Sequence, residues 1–216
     1  MSQEKIKVGI IGAGRVGVEW QLPDIRLAGG EVIALADLVA GRAGRFSQKL
    51  GVPHGFDDYR QLLALPEVDV VSICTPPFNH EEIAVAAFEA GKHVYLEKPP
   101  AMNEAEMTRI TAAGHKAGRL LLAGSNNIYT PEMAHLRRQV ETGVFGEIYM
   151  VQTTSVSQRR LPMGWLRRKD LAGGGDDGHR RHANRFYPIR GWLYLDIDRL
   201  LRRQPAQCPS LLDFWQ

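Results

Sequence analysis

The chain has 216 residues, 44% hydrophobic and 24% charged, with a formal net charge of +3, an ordinary composition for a globular protein. That length holds one large domain, or one domain and part of another. No run approaches the ~20 apolar residues of a membrane span, and the start of the chain, through Glu4, Lys5 and Lys7, is no secretory signal. Cys74 and Cys208 lie too far apart for a disulfide framework or a metal-ligand spacing, so a cytoplasmic protein with no membrane contact and no metal is expected.

Taken in chain order, Lys5–Ile11 is a β-branched run ending in glycines, which predicts a strand. A helical stretch follows, interrupted at Pro23. Glu31–Asp37 reads as a strand, Ala40–Leu50 as a helix, and Asp57–Leu65 as another helix with Asp57 as its N-cap. Val68–Cys74 is almost continuously apolar, as expected of a strand covered on both faces. Asn79–Ala90 reads as a helix, with Asn79 and Glu82 spaced as a capping box. Then come the strand KHVYLE, a helix over Asn103–Ala117 with a second box from Asn103 and Glu106, and the strand RLLLAG. Strands alternating with helices in this way predict a Rossmann-type doubly wound α/β sheet over residues 1–124. Beyond Gly124 the character changes. Thr130-Pro131 opens a helix to about Glu141, and GEIYMVQTTSV alternates like a strand of a separate antiparallel sheet. An incomplete α+β C-terminal domain is expected to start at residue 125.

Gly12-Ala13-Gly14-Arg15-Val16-Gly17 fits G-x-G-x-x-G, and it lies where the motif has meaning, between a strand and a helix. Asp37 stands 20 residues beyond Gly17 at the end of the second strand. Glycines there let the backbone approach a pyrophosphate at the helix N-terminus, and the carboxylate accepts from a ribose hydroxyl. Leu38, not an arginine, follows Asp37, which favours NAD over NADP. Thr75-Pro76-Pro77-Phe78-Asn79-His80 ends another strand on the ligand side of such a sheet, so Thr75, Pro76, Asn79 and His80 are candidate cofactor contacts. A turn and a helix cap account for Asn79 equally well, and His80 reads either as functional or as a solvated first-turn residue. Glu97-Lys98-Pro99 ends the next strand. The proline holds Lys98 extended, which aims its side chain, and an ammonium near the cofactor can exchange a proton with a substrate hydroxyl.

This set of motifs resembles the Gfo/Idh/MocA oxidoreductases, the family of glucose–fructose oxidoreductase and inositol dehydrogenase. The resemblance covers residues 5–175 and continues through Gly124-Ser125-Asn126-Asn127-Ile128-Tyr129-Thr130-Pro131 and through Trp165 to Gly175. Ile128 departs from it, since the family often has arginine there. The resemblance implies hydride transfer between a nicotinamide and a carbinol carbon of a sugar, polyol or related hydroxy compound. It implies Lys98 as the catalytic lysine, with Gly12, Gly14, Arg15, Val16, Gly17, Asp37, Thr75, Pro76, Asn79, His80, Glu97, Lys98 and Asn126 around NAD or, alternatively, NADP. It also implies a second domain, beginning at 125–175, that covers the nicotinamide and forms the interface of a homo-oligomer.

After Gly175 the family continues D-x-G-x-H-x-x-D on a helix that supplies a catalytic Asp and His. Residues 176–216 read otherwise, with seven Arg, no Lys and no Glu. Back-translated with CGN arginines and shifted by one nucleotide, Asp176–Trp192 yields codons compatible with M-T-D-I-G-V-T-R-I-D-S-I-L, similar to the family helix except at the histidine. The expectation is therefore a frameshift near Gly175 and an unselected tail, in which Asp176, Asp177, His179 and His182 are not the family's catalytic residues. Residues 159–216 carry 12 basic against 6 acidic side chains, and the same shift explains the arginine excess of the tail without any nucleic-acid partner. An NAD(P)-dependent dehydrogenase and a non-catalytic NAD(P)-binding fragment of one are the two functional readings.

Overall fold

A computed structural model of the chain describes residues 5–153 and 185–188. The chain forms two compact units, which part between Tyr129 and Thr130. The first is built on six parallel strands: β1 (Lys7–Ile11), β2 (Glu31–Ala36), β3 (His54–Phe56), β4 (Val70–Ile73), β5 (His93–Leu96) and β6 (Leu121–Ala123), in the order β3-β2-β1-β4-β5-β6. The order reverses between β1 and β4, and the crevice at the carboxyl ends of those two strands is where such sheets bind ligands.

Adjacent strand residues face opposite sides, so Ile10 and Ile11, both almost fully buried, feed two different cores. Ile10 packs with Val32, Leu35, Leu22 of α1 (Leu22–Leu27) and Ala43 of α2 (Arg42–Leu50). Ile11 packs with Ile73, Leu62 of α3 (Tyr59–Leu63), Phe88 of α4 (His80–Glu89) and Ile110 of α5 (Glu104–Ala117). Helices on both faces explain the near-continuous apolar strands, and a side chain such as Phe88 contributes roughly 1.5–3 kcal/mol by its burial. Cys74 packs beside the first of these cores, and burial pushes its thiol up to about 12, so it is no nucleophile near neutral pH.

The structure departs from the sequence reading at four places. The strand β3 is additional; its HGF segment is too short and glycine-interrupted to show an alternating pattern. The cap of α3 is Asp58, whose carboxylate accepts from the Arg60 N–H, while Asp57 accepts from the Gly41 N–H at 2.8 Å. Asn79 caps nothing through its side chain, because a 3₁₀ turn over Pro77–Asn79 precedes α4 and Glu82 is drawn to the Tyr59 hydroxyl and Arg60. Finally, Pro23 does not interrupt its helix: it sits at the start of α1, directly after a π-helix over Val16–Gln21. The second capping box forms, with the Glu106 N–H donating to Asn103 Oδ1 at 3.0 Å.

In the second unit, Thr130 Oγ1 accepts from the Met133 N–H and caps α6 (Pro131–Glu141). Strand β7 (Met150–Thr153) pairs antiparallel with β8 (Arg185–Pro188). Apart from β8, the tail 176–216 lies outside the described residues, and so do Trp165–Gly175. Among the described residues no helix is long and apolar enough to cross a membrane.

Candidate functional site

The three motif glycines have three different surroundings. Gly12 has φ +100°, its N–H donates to Ala36 O, and a Cβ there would lie 2.8–2.9 Å from the backbone of Cys74 and Thr75. It closes the turn where β1 and β4 abut. A Cβ at Gly17 would lie 2.2 Å from Gly12 O, so only glycine lets the helix begin against the loop. Gly14 differs: nothing lies within 4 Å of where its Cβ would be. Its lack of a side chain leaves backbone open toward solvent at the head of a helix, the arrangement a pyrophosphate needs. Ala13 is fully buried. Arg15 is exposed, ion-paired with Glu19 at 3.3 Å, and its guanidinium lies 5.2 Å from the Trp20 ring centroid. Val16 begins the π-helix.

At the end of β2, Asp37 Oδ1 accepts from the Val39 N–H at 2.8 Å, and Arg42 Nη1 approaches both carboxylate oxygens at 3.3 Å. Sequence adjacency misses this arginine, because α2 brings it back to the carboxylate from five positions away.

At the end of β4, Thr75 Oγ1 is buried and has no hydrogen-bond partner. Thr75 O accepts from His80 Nε2 at 2.9 Å, which fixes the proton on that nitrogen, since a carbonyl can only accept. Pro76 takes the extended cap position before the turn. His80 is 1% exposed and therefore not a solvated first-turn residue. Burial holds its pKa below the usual value, against the opposing pull of the Thr75, Pro100 and Pro99 carbonyls and the Glu97 carboxylate.

At the end of β5, Glu97 is nearly buried. Its Oε1 accepts from Gln21 Nε2 at 2.9 Å and its Oε2 from the Lys98 N–H at 3.1 Å. Gln21 Nε2 also lies 3.4 Å from the Tyr95 hydroxyl, and burial raises the pKa of that phenol. The Lys98–Pro99 peptide is cis and the Lys98 side chain is exposed. Gln21 and Tyr95 escape the sequence reading. Tyr95 could have been found by alternation, since it shares a strand face with Glu97. Gln21 carries no pattern at all. Asn126 opens a 3₁₀ turn over Asn126–Tyr129 after β6; its side chain lies outside the described part of the molecule.

A family model described as the oxidoreductase family with an NAD-binding Rossmann fold, GFO_IDH_MocA, matches residues 6–125, over half the chain. The chain belongs to the Gfo/Idh/MocA oxidoreductase family. It is 33% identical over 178 residues to a D-glucoside 3-dehydrogenase of Escherichia coli, covering 81% of this chain and 50% of that one. With a myo-inositol 2-dehydrogenase of Thermotoga maritima it shares 29% over 163 residues, or 75% and 48% of the two chains. A crystal structure of an NAD binding oxidoreductase from Klebsiella pneumoniae superposes with a TM-score of 0.71 at 33% identity, covering 82% of this chain and 50% of that one. This Gfo/Idh/MocA chain thus spans about half the length of the curated relatives it matches.

The dinucleotide of the family fits the residues present. The open side of Gly14 leaves room for phosphate oxygens, and Thr75 Oγ1, buried without a partner, has an unused hydrogen-bonding capacity at the carboxyl end of β4. Both lie on strand ends that meet at the point where the strand order reverses.

Proposed function

We propose that this chain serves an NAD(P)-dependent dehydrogenase of sugars, polyols or related hydroxy compounds, with Lys98 exchanging the proton of the substrate hydroxyl. A nicotinamide dinucleotide, when bound, supplies the hydride acceptor. The chain's own residues do the rest. Gly12, Gly14 and Gly17, with Arg15 and Val16 between them, receive the pyrophosphate. Asp37 takes the ribose, and Thr75, Pro76, Asn79, His80, Glu97 and Asn126 line the cofactor. Glu97 holds the backbone of Lys98 by its N–H, leaving the ammonium exposed to work on a substrate. The observation that carries this reading is the open flank of Gly14 beside its two enclosed neighbours. Residues 1–124 form the nucleotide-binding domain in this reading, and 125–175 begin the domain that binds substrate and joins subunits.

The test is a fluorescence titration of the purified chain with NADH, followed by NAD reduction across a panel of polyols and sugars. NADH binding, with turnover that Lys98→Ala abolishes while binding persists, supports the reading. No NADH binding overturns it.

A second reading, that the chain binds NAD(P) and catalyses nothing, is favoured by the residues after Gly175, which lack the family's D-x-G-x-H-x-x-D pattern. NADH binding without turnover on any substrate of the panel supports that one instead.

A further inference from the structure

Among the described residues, two buried side-chain polar atoms lack a hydrogen-bond partner, Thr75 Oγ1 and His80 Nδ1. Both fall between the end of β4 and the first residue of α4. They are also joined, since His80 Nε2 donates to the Thr75 carbonyl at 2.9 Å. Protein interiors seldom leave such atoms idle, and two on one short stretch mark a place that something else completes. The Thr75 hydroxyl lies where the dinucleotide fits. The imidazole is 1% exposed and offers a ligand almost no surface, so it acts through its neighbours.

Those neighbours belong to two strand ends. Besides the Thr75 carbonyl beyond β4, the carbonyls of Pro99 and Pro100, just past Lys98, and the carboxylate of Glu97 all favour the charged ring, against burial. Nε2 is committed to Thr75, which leaves Nδ1 for the proline carbonyls. In the neutral ring Nδ1 is an acceptor among acceptors; with a proton it becomes a donor. The imidazolium then joins the segment of Thr75 to the segment of Lys98. Glu97 is the charged side chain that faces the ring from the end of β5. On α4 itself, Glu81 is engaged by Arg109 of α5, and Glu82 by Tyr59 and Arg60 of α3. A bound dinucleotide brings the negative charge of its pyrophosphate to the same crevice, a further pull toward the imidazolium.

We propose that His80 is a positioning residue for Lys98: dinucleotide binding draws a proton from solvent onto Nδ1, which donates to a Pro99 or Pro100 carbonyl and fixes the lysine's segment against Thr75. The proton returns to solvent when the dinucleotide leaves. The inference rests on the cofactor reading above and deepens it by naming the group that sets Lys98 once the cofactor is in place. Because the bound form holds the proton more firmly, dinucleotide affinity is greatest at low pH and declines as the pH rises toward the pKa of the bound state.

The experiment is calorimetric titration of the full chain with NADH in buffers of different ionisation enthalpy, at about pH 6 and pH 8, for the wild type and His80→Gln. Glutamine keeps a donor for the Thr75 carbonyl and cannot take the proton. The wild type should take up roughly 0.3–1 proton per NADH at the lower pH and bind about three- to tenfold more tightly there. His80→Gln should show neither effect. Hydrogen exchange at the amides of Lys98, Ala101 and Met102 should slow with NADH in the wild type and not in the variant. NADH binding without proton uptake overturns the inference and leaves the cofactor reading standing. Uptake that survives in His80→Gln overturns it as well, and so does uptake with no slowing at those amides. If His80→Gln does not fold, 15N NMR of the wild-type imidazole decides, and a bare Nδ1 with NADH bound at about pH 6 refutes the proposal. Failure of NADH to bind overturns the cofactor reading and this inference with it.

Discussion

Gln21 Nε2 donates to Glu97 Oε1 at 2.9 Å, joining the helix after the glycine loop to the strand end that carries Lys98, 76 residues further along the chain. The contact ties the glycine-loop side of the crevice to the strand end that carries Lys98 through one carboxamide and one nearly buried carboxylate.

Loss of that donor leaves the carboxylate short of a partner. Gln21→Ala should cost about 1.5–3 kcal/mol of stability, the usual range for a hydrogen bond to a charged group. Gln21→Glu should cost more above the carboxylate range, where two like charges face each other, and recover on acidification. Urea midpoints of the three proteins at two pH values decide this; equal stability of wild type and Gln21→Ala would show the contact to be idle.

The glycines should separate folding from binding. Gly17→Ala drives a methyl into Gly12 O and should destabilise by roughly 1–3 kcal/mol or more. Gly14→Ala meets nothing, so its melting temperature should match the wild type within about 1 kcal/mol of stability. NADH affinity should nevertheless fall at least about tenfold, because the methyl occupies the phosphate's approach. A Gly14→Ala protein that binds NADH normally would remove the pyrophosphate from this loop.

Thr75→Val should act in opposite directions on the two properties. The valine deletes a buried hydroxyl that has no protein partner, so the free chain should gain about 1 kcal/mol. NADH binding should weaken about three- to tenfold for want of the same hydroxyl. Thermal melts and a titration suffice, and a stability loss would mean that Thr75 is satisfied in the free protein after all.

The buried imidazole should make stability pH-dependent. His80 has a folded-state pKa below its unfolded value near 6.5, so the unfolded chain binds the extra proton. Its contribution is whole above that value and is lost as the pH falls through the folded pKa. His93 is shifted the same way, by burial first and then by Arg119. The Glu81 carboxyl, held low by Arg109, titrates below this window. Urea midpoints should therefore drop from pH 7.5 toward pH 5.5, and His80→Gln should flatten the slope without abolishing it, since His93 remains. A wild type with no slope there contradicts the assignment.

The sheet was legible in the sequence because its strands are apolar runs set between helical patterns, and because Gly12, Gly51, Gly91 and Gly118 break the chain between elements. HGF was not, since three residues cannot display a period. The cap of α3 was legible only to within one residue: the choice between Asp57 and Asp58 depends on which carboxylate Gly41 claims, a contact 16 residues distant. The glycine loop was readable down to single positions, because its geometry is local. Arg42, Gln21 and Tyr95 were not, because each enters the site through folding rather than through a motif. The fate of His80 turned on packing, which a single sequence does not display.

The π-helix carries one further consequence. Gly17 is pinned at its start by contact with Gly12 O, and Leu22 just beyond its end is pinned in the core. The Leu22 N–H reaches back five residues to Gly17 O, so the wide turn holds one residue more than an α-helical turn would. With both ends fixed, removing a single residue between them would close the turn to the ordinary α-helical width. The link from Gln21 to Glu97 thus runs through the extra residue of the wide turn, and a deletion there, which alters no side chain near Lys98, tests it.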